Sequence, residues 1–249
     1  MLIMGRISLI ALAIVTAVLV VQLPAAAQNP VVVELFTSEG CSSCPPADAI
    51  LLQLSQQKPS DGTQLILLGE HVDYWDNIGW VDRFSSRQLS ARQSEYAHAL
   101  HATVYTPQMV IDGEEQFVGN GAAEVHSRIA AAAKQPKPAQ VSLAWEGRAG
   151  LRVNVHSAQP LKADVLLAIT EDGLSTQVPK GENAGKTLHH AAVVRQLREI
   201  GKLDDGTFEK TIDVARDPQW QPANLKAAVL VQDPSSKKIL GAAVVAFPQ

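Results

Sequence analysis

The sequence is poor in cysteine, has no excess of basic residues and contains no hydrophobic run of comfortable membrane-spanning length. Its 249 residues include two cysteines, and 25 acidic residues outnumber 21 basic ones. Because no basic stripe is present, nucleic acid is not expected as a partner. No second cysteine pair and no clustered histidine pair lies near the two cysteines, so a structural zinc site, which needs four ligands, is not expected.

The first residues have the composition of a cleaved secretory signal. Arg6 precedes an apolar stretch over residues 7–21, and three alanines follow at residues 25–27. This pattern predicts a signal peptide over residues 1–27 and a periplasmic or secreted protein. The stretch is shorter than the roughly 20 residues of a membrane span, so we expect no stable membrane insertion after cleavage. Export places the cysteines where disulfides persist.

The two cysteines, Cys41 and Cys44, lie in a Cys-Ser-Ser-Cys-Pro motif directly after an apolar, β-branched run. Thiol–disulfide exchange needs two thiols this close, because a thiolate forms a mixed disulfide that a second thiol must resolve. If a helix begins at the motif, its unpaired amides lower the thiol pKa. Cys41 is then the nucleophile and Cys44 the resolving thiol. A structural disulfide is the alternative, although so short a loop gives little entropic stabilisation.

The chain before residue 135 alternates strand and helix patterns. Strands are predicted at residues 31–37 and 64–72, a hairpin at 109–112 and 116–118, and helices at 44–57, 86–101 and 121–134. This order is typical of an α/β domain, in which sites lie beyond the carboxyl ends of the strands. The motif at residues 41–44 is at such a position.

A proline-punctuated stretch at residues 135–139 predicts a linker. Seven alternating segments with turn signals follow it, a pattern typical of an all-β sandwich of the immunoglobulin type. We therefore predict an α/β domain at residues 28–134 and an all-β immunoglobulin-like sandwich domain at residues 140–249.

A second motif, Thr106-Pro107-Gln108, stands immediately before the predicted hairpin. A Cys-x-x-Cys after the first strand, followed by this Thr-Pro, resembles the thioredoxin and glutaredoxin superfamily. The resemblance implies a thioredoxin-like N-terminal domain and a cis peptide bond at Pro107, with Pro107 and the Thr106 backbone shaping the substrate groove. No Trp precedes Cys41 and Ser-Ser replaces the usual Gly-Pro, so the redox potential of thioredoxins does not carry over.

Three stretches of the sequence, at residues 34–48, 71–76 and 106–109, make the resemblance more specific than the superfamily. Together they resemble a bacterial family of secreted thioredoxin-like proteins that is known chiefly as a domain of unknown function. The similarity extends over nearly the whole mature chain. It implies a fold more firmly than a reaction.

Three further residues are candidates for the site. Glu34 is an acid inside an apolar strand, where desolvation would raise its pKa and let it pass a proton to or from Cys44. Strand alternation that turns Glu34 outward, or pairing with a lysine, is the alternative. His71 and Trp75 end the second strand and could bind substrate or supply a base, or they could only cover a core edge.

The resulting hypothesis is an exported thiol–disulfide oxidoreductase that exchanges disulfides with protein clients and a redox partner protein. No organic cofactor is expected, because electrons travel through the cysteine pair. Two alternatives stay open: a copper-binding, metallochaperone-like module that uses both thiols and His71, or an interaction scaffold with a structural disulfide. Further along, His190 and Arg195 could face the same site or cap a loop of the sandwich.

Overall fold

The computed structural model describes residues 29–57 and 62–249, so the predicted signal peptide at residues 1–27 lies outside the described part. No helix within that part is long and apolar enough to cross a membrane. The helices are α1 (Pro45–Gln56), α2 (Arg87–Ala99) and α3 (Ala122–Ala132), with a 3-10 turn at Pro222–Asn224. The strands are β1 (Val31–Thr37), β2 (Leu65–His71), β3 (Gln108–Ile111), β4 (Glu115–Phe117), β5 (Ala139–Glu146), β6 (Gly150–Ser157), β7 (Ala163–Glu171), β8 (Leu174–Gln177), β9 (Thr187–His190), β10 (Val193–Leu203), β11 (Thr207–Asp213), β12 (Leu225–Gln232) and β13 (Ile239–Ala246).

The helices and strands predicted before residue 135 are confirmed, each end lying within two residues of the prediction. Local chemistry explains two of the starts. Helix α1 begins at Pro45 and Pro46, whose fixed φ and missing N–H groups are tolerated in the first turn. Helix α2 is capped by Ser86, whose side chain accepts a hydrogen bond from the Leu89 amide.

One large mixed sheet dominates the fold. Its eight strands follow the order β13-β12-β7-β10-β2-β1-β3-β4. Strand β2 runs parallel to both β1 and β10, whereas the other neighbouring strands pair antiparallel. A three-stranded sheet, β11-β6-β5, and the β8–β9 hairpin complete the sheets of the described residues.

The predicted fold class, a thioredoxin-like α/β domain followed by an immunoglobulin-like sandwich, is wrong. The structure is mostly β, and its eight-stranded sheet combines strands from both sides of residues 135–139. The two halves join where Val193 of β10 pairs with Gly69 of β2. The Gly69 amide donates to the Ala192 carbonyl at 2.7 Å, and a Cβ atom on Gly69 would stand 2.9 Å from the Ala191 carbonyl oxygen. Glycine at position 69 therefore lets the second half of the chain approach β2.

The large sheet is covered on both faces. Helices α1 and α3 pack on one face of its N-terminal strands, and the three-stranded sheet covers the C-terminal strands. Helix α2 packs on the other face through a core that contains Val32 and Leu68 from the first half and Ala168 and Leu230 from the second. This core therefore joins the two halves of the chain on the face that carries α2.

Candidate functional site

The predicted cysteine pair is a disulfide. Cys41 and Cys44 are bonded, with their Cα atoms 5.5 Å apart, between the end of β1 and the start of α1. Neither cysteine has any exposed surface, whereas Ser42 and Ser43 between them are exposed. The Ser43 hydroxyl oxygen lies 3.3 Å from the Cys41 sulfur.

The first turn of α1 offers few amides to a thiolate. Pro45 and Pro46 have no N–H group. The next two amides, of Ala47 and Asp48, both donate to the Cys44 carbonyl, at 2.9 and 3.1 Å. The expectation that unpaired helix amides lower the thiol pKa therefore loses its structural basis, and the Ser43 hydroxyl is the donor that stands next to Cys41.

The Thr106-Pro107 segment lies against this motif. The peptide bond between Thr106 and Pro107 is cis, as the resemblance implied. The Ser43 hydroxyl donates to the Thr106 carbonyl at 3.4 Å, and the Trp75 indole donates to the Thr106 hydroxyl at 2.8 Å. The structure thus brings five of the predicted site residues together: Cys41, Cys44, Thr106 and Pro107, with Trp75 beside them.

A buried group of imidazoles and carboxylates lies behind the motif, on the sheet face that carries α1. We call Glu39, Asp48, His71, Asp82 and His190 the α1-face network. His71 Nδ1 is 2.6 Å from Asp82 Oδ2, and His190 Nε2 is 3.2 Å from Glu39 Oε1. The two imidazole rings meet edge to face with centroids 4.9 Å apart.

The backbone and a tryptophan hold these carboxylates in place. Asp82 accepts hydrogen bonds from the amides of Glu39 at 2.8 Å and Phe84 at 2.9 Å. The Trp80 indole donates to the second carboxylate oxygen of Glu39 at 2.7 Å. His71 is therefore a buried partner of Asp82, with about 1% of its surface exposed, and is not placed to touch a substrate directly.

Burial and pairing shift the pKa values of this network. Burial lowers the pKa of His71, but the charge and hydrogen bond of Asp82 outweigh it, so the pKa lies above the ordinary 6.5. Burial raises the pKa of Asp82, but His71 and two backbone amides bring it below 3.8. Burial also raises the pKa of Asp48 above 3.8, although both histidines oppose that effect. His71 and Asp82 thus form a charged pair at mildly acidic pH.

Glu34 lies on the opposite face of the sheet, in a second group that we call the α2-face network: Glu34, Glu70, Arg92, Tyr96 and Gln232. Arg92 Nε stands 2.6 Å from Glu34 and 3.3 Å from Glu70, and the Tyr96 hydroxyl donates to Glu34. Burial and the neighbouring Glu34 charge raise the pKa of Glu70 well above 4.5. The structure therefore does not bring Glu34 to the cysteines.

A segment from the second half of the chain reaches the motif. We call residues 178–186, which connect β8 to β9, the clasp. The Asn183 side chain is buried and donates to the carbonyl oxygens of Glu39 and Cys41, both at 2.9 Å. The Glu182 carboxylate accepts the Ser42 amide at 3.1 Å. The polar segment before β10 is thus part of the site, whereas Arg195 lies over the rings of Phe84 and Trp220.

Four residues of the site escaped the sequence reasoning: Glu39, Asp48, Asp82 and Asn183. Glu39 lies two residues before Cys41 and Asp48 four residues after Cys44, and acids this close to the motif are a signal in the sequence. Asp82 and Asn183 reach the site through tertiary contacts, and the sequence around these two residues does not indicate those contacts. Among the described residues, no group of three or more His, Cys, Asp or Glu side chains is placed to hold a metal ion.

Three comparisons relate the chain to known proteins. Residues 32–232 match the family described as protein of unknown function (DUF1223). The crystal structure of protein AGR_C_4864 from Agrobacterium tumefaciens is similar, with 28% identity, a TM-score of 0.73 and coverage of 90% of this chain and 97% of that chain. HBP35 of Porphyromonas gingivalis is similar in fold, with 15% identity, a TM-score of 0.64 and coverage of 89% and 76%. No curated protein sequence matches the chain. The chain therefore belongs to the DUF1223 family of proteins of unknown function.

Proposed function

We propose that this protein is an exported thiol–disulfide oxidoreductase that exchanges disulfides with protein clients through Cys41 and Cys44. One observation carries the proposal: the disulfide stands at the start of α1 with the Thr106 carbonyl beside it, joined through the Ser43 hydroxyl. A backbone carbonyl next to a short-loop disulfide suits a client segment that arrives in extended form. The similarity to thioredoxins is also part of this proposal, and it is limited to the cysteine pair and the Thr106-Pro107 segment beside it.

The chemistry needs only the cysteine pair and the client. In the oxidising direction a client thiolate attacks the Cys41 sulfur, the Cys41–Cys44 bond breaks, and Cys44 leaves as a thiolate. A second client thiolate then attacks the mixed disulfide and releases Cys41, so two electrons pass from the client to the pair. In the reducing direction the same steps run backwards, and Cys44 resolves the mixed disulfide.

Ser43 supports the Cys41 thiolate in this mechanism. Its hydroxyl has one proton and two acceptors within reach, the Cys41 sulfur at 3.3 Å and the Thr106 carbonyl at 3.4 Å. When Cys41 is a free thiolate, the proton turns to its sulfur, because a hydrogen bond to a charged acceptor is stronger than one to a neutral carbonyl. The Thr106 carbonyl is then free to accept a hydrogen bond from a client backbone amide.

Asp48 exchanges the proton of Cys44 in this proposal. It lies one helical turn after Cys44, its amide donates to the Cys44 carbonyl at 3.1 Å, and burial raises the pKa of its carboxyl. A buried acid with a raised pKa accepts a proton more readily than an exposed one and can return it to a leaving thiolate. Glu34, the acid expected in this role, is instead paired with Arg92 on the other face of the sheet.

The client contacts an exposed apolar surface beside the motif. Tyr74, Ile78 and Val81 are 39, 54 and 64% exposed and belong to the loop that also carries Trp75. Large exposed apolar side chains grouped in this way are typical of an interaction site. We place the exchange in the periplasm or outside the cell, because the composition of residues 1–27 and the disulfide both fit an oxidising compartment.

Mixed-disulfide trapping tests the proposal. The Cys44→Ser variant is expressed with its natural leader, and its exported form is isolated after acid quenching of free thiols. We expect discrete complexes linked through Cys41 that disappear on reduction, whereas Cys41→Ser serves as the matched control and yields none. If Cys44→Ser traps no client under oxidising export conditions, the oxidoreductase proposal is overturned.

The complete burial of both cysteines favours a second candidate, an interaction scaffold with a structural disulfide. In that case the exposed apolar surface beside the motif binds its partner whether the cysteine pair is oxidised or reduced. Partner capture by Cys41→Ser at the wild-type level would favour the scaffold, and loss of capture would favour exchange.

A further inference from the structure

The disulfide is closed to a protein thiol in this conformation. Exchange requires the attacking sulfur to reach Cys41 along the axis of the S–S bond. Cys41 and Cys44 both have 0% exposed surface, so some part of the structure must move before a client can reach them. The clasp, residues 178–186, binds the backbone of the cysteine loop through its side chains and is the candidate for this movement.

Polar contacts attach the clasp to the cysteine loop. Asn183 donates to the carbonyls of Glu39 and Cys41 and thereby bridges the turn that leads into the motif. Its own amide oxygen accepts a hydrogen bond from Lys186 at 2.9 Å. Glu182 accepts the amide of Ser42. Three backbone groups of residues 39–42 are therefore held by side chains that lie about 140 positions away in the chain.

Apolar packing contributes little to holding the clasp. Within residues 178–186 only Val178 and Asn183 are buried, and the others are exposed. Gly181 and Gly185 adopt positive φ angles of 85° and 81°, which let the segment turn tightly. Few buried apolar contacts and exposed backbone are the properties of segments that open locally without global unfolding.

The base of the clasp, by contrast, is anchored. Val178 exchanges hydrogen bonds with Lys186 and Gly185 across the segment, at 2.9 and 2.8 Å. The two ends continue into the β8–β9 hairpin, and β9 ends at His190. His190 contacts the carboxylate of Glu39, whose carbonyl accepts from Asn183. The tip can leave the motif while the hairpin stays in place.

We propose that the clasp is an autoinhibitory cover that must release Asn183 and Glu182 before the Cys41–Cys44 pair exchanges with a protein thiol. This regulation rests on the proposed function, since only an exchanging pair needs to be uncovered. A client that binds the apolar loop beside the motif can compete with the clasp for the same backbone groups of residues 39–42.

Reduction kinetics of the folded protein test the cover. A small dithiol reductant in excess gives two electrons and two protons to the disulfide and leaves as a cyclic disulfide, and the new thiols are alkylated and counted by mass spectrometry. We expect Asn183→Ala to accelerate this reduction about tenfold, which corresponds to roughly the net free energy of one to two hydrogen bonds. Glu182→Ala, at an exposed position, is expected to give about threefold.

Matched controls separate opening of the clasp from loss of stability. Lys180→Ala changes an exposed residue of the same segment and is expected to leave the rate unchanged. Low urea concentrations should hardly change the wild-type rate, because local opening exposes little surface, whereas reduction through global unfolding rises steeply with urea. Hydrogen exchange at the Ser42 amide should quicken in Glu182→Ala, since that amide loses its acceptor.

Two outcomes would overturn the cover. Wild-type reduction rates in both Asn183→Ala and Glu182→Ala, or a wild-type rate that follows global unfolding, each contradict it. Failure of the proposed function is distinguishable from failure of the cover. Faster reduction in the clasp variants with no client trapped by Cys44→Ser would support the covering role of the clasp and contradict the oxidoreductase proposal. Trapped clients with unchanged reduction rates in the clasp variants would support the oxidoreductase and contradict the covering role of the clasp.

Discussion

The two buried ionic networks on opposite faces of the sheet differ in the cation that they use. Glu70 and His71 are neighbours in β2, yet strand alternation sends Glu70 to Arg92 and His71 to Asp82. A guanidinium stays charged at every pH at which the protein is folded, whereas an imidazole can release its proton. The cation of the α2-face network is therefore permanent, whereas the cation of the α1-face network beside the disulfide is able to titrate.

The position of each network agrees with that difference. The α2-face network joins β1, β2, α2 and β12, because Arg92 also donates to Gln232 at 3.1 Å. It therefore ties the first half of the chain to the second. The α1-face network instead surrounds Glu39, two residues before Cys41, and connects it to the hairpin that carries the clasp. A change in its protonation reaches the cysteine loop through Glu39.

The largest expected effect comes from removing the fixed cation. Arg92→Met leaves Glu34 and Glu70 buried without a counter-charge, and we expect a loss of about 3–5 kcal/mol in the free energy of unfolding. Arg87→Met, at an exposed position of the same helix, is the matched control and should change stability by about 0.5 kcal/mol or less. Chemical denaturation measures both. A loss for Arg92→Met as small as that of the control would contradict the assigned role of this network.

A smaller effect is expected on the other face, because its cation can become neutral. Asp82→Asn removes the charge that pairs with His71, and we expect a loss of about 1–3 kcal/mol at pH 5. The asparagine oxygen still accepts one amide, and the imidazole avoids an unpaired buried charge by losing its proton. Asp204→Asn, which changes an exposed acid, serves as the control.

The cost of Asp82→Asn should depend on pH with a defined sign. The folded pKa of His71 is raised above 6.5, so its contribution is complete below that pH and is lost as pH rises through the folded value. The folded pKa of Asp82 is lowered below 3.8, so its contribution is complete above that pH and is lost as pH falls through the folded value. The difference between wild type and variant is therefore largest between pH 3.8 and 6.5. A difference that grows from pH 6 to pH 9 would refute the charged pair.

How far the sequence predicts this molecule depends on the range of the interaction. The strand at Val31–Thr37, the helix at Arg87–Ala99 and the position of the cysteine pair follow from local pattern, and all three are confirmed. The fold class failed because the parallel pairing of Val193 with Gly69 joins residues more than a hundred positions apart, and a glycine in a strand does not reveal its partner.

The candidate site divides in the same way. Cys41, Cys44 and the Thr106-Pro107 segment were visible as motifs, and the structure places them together. The clasp was not visible as part of the site, since a polar, glycine-containing segment has the same composition whether it covers a site or only turns a loop. The face on which an acid such as Glu34 lies follows from alternation, but its partner Arg92 becomes known only with the helix packing.

The smallest expected effect concerns the sulfur itself. In the Cys44→Ser background we expect Ser43→Ala to raise the pKa of the Cys41 thiol, because the hydroxyl at 3.3 Å is removed from the thiolate. The change should stay within about one pKa unit, since a single hydrogen bond contributes on the order of 1 kcal/mol net. Thiolate absorbance against pH measures it, and Ser42→Ala is the matched control at the other exposed serine of the motif.

This measurement also decides what stabilises the thiolate. Pro45 and Pro46 leave the start of α1 without the amides that such a helix normally offers, so a hydroxyl has to provide the hydrogen bond. If Ser43→Ala leaves the pKa of the Cys41 thiol unchanged, Ser43 is not the donor to the thiolate, and the charged His71 of the α1-face network is the next group to test. Asp82→Asn would then raise that thiol pKa by withdrawing the positive charge, whereas it has little effect if Ser43 is the donor.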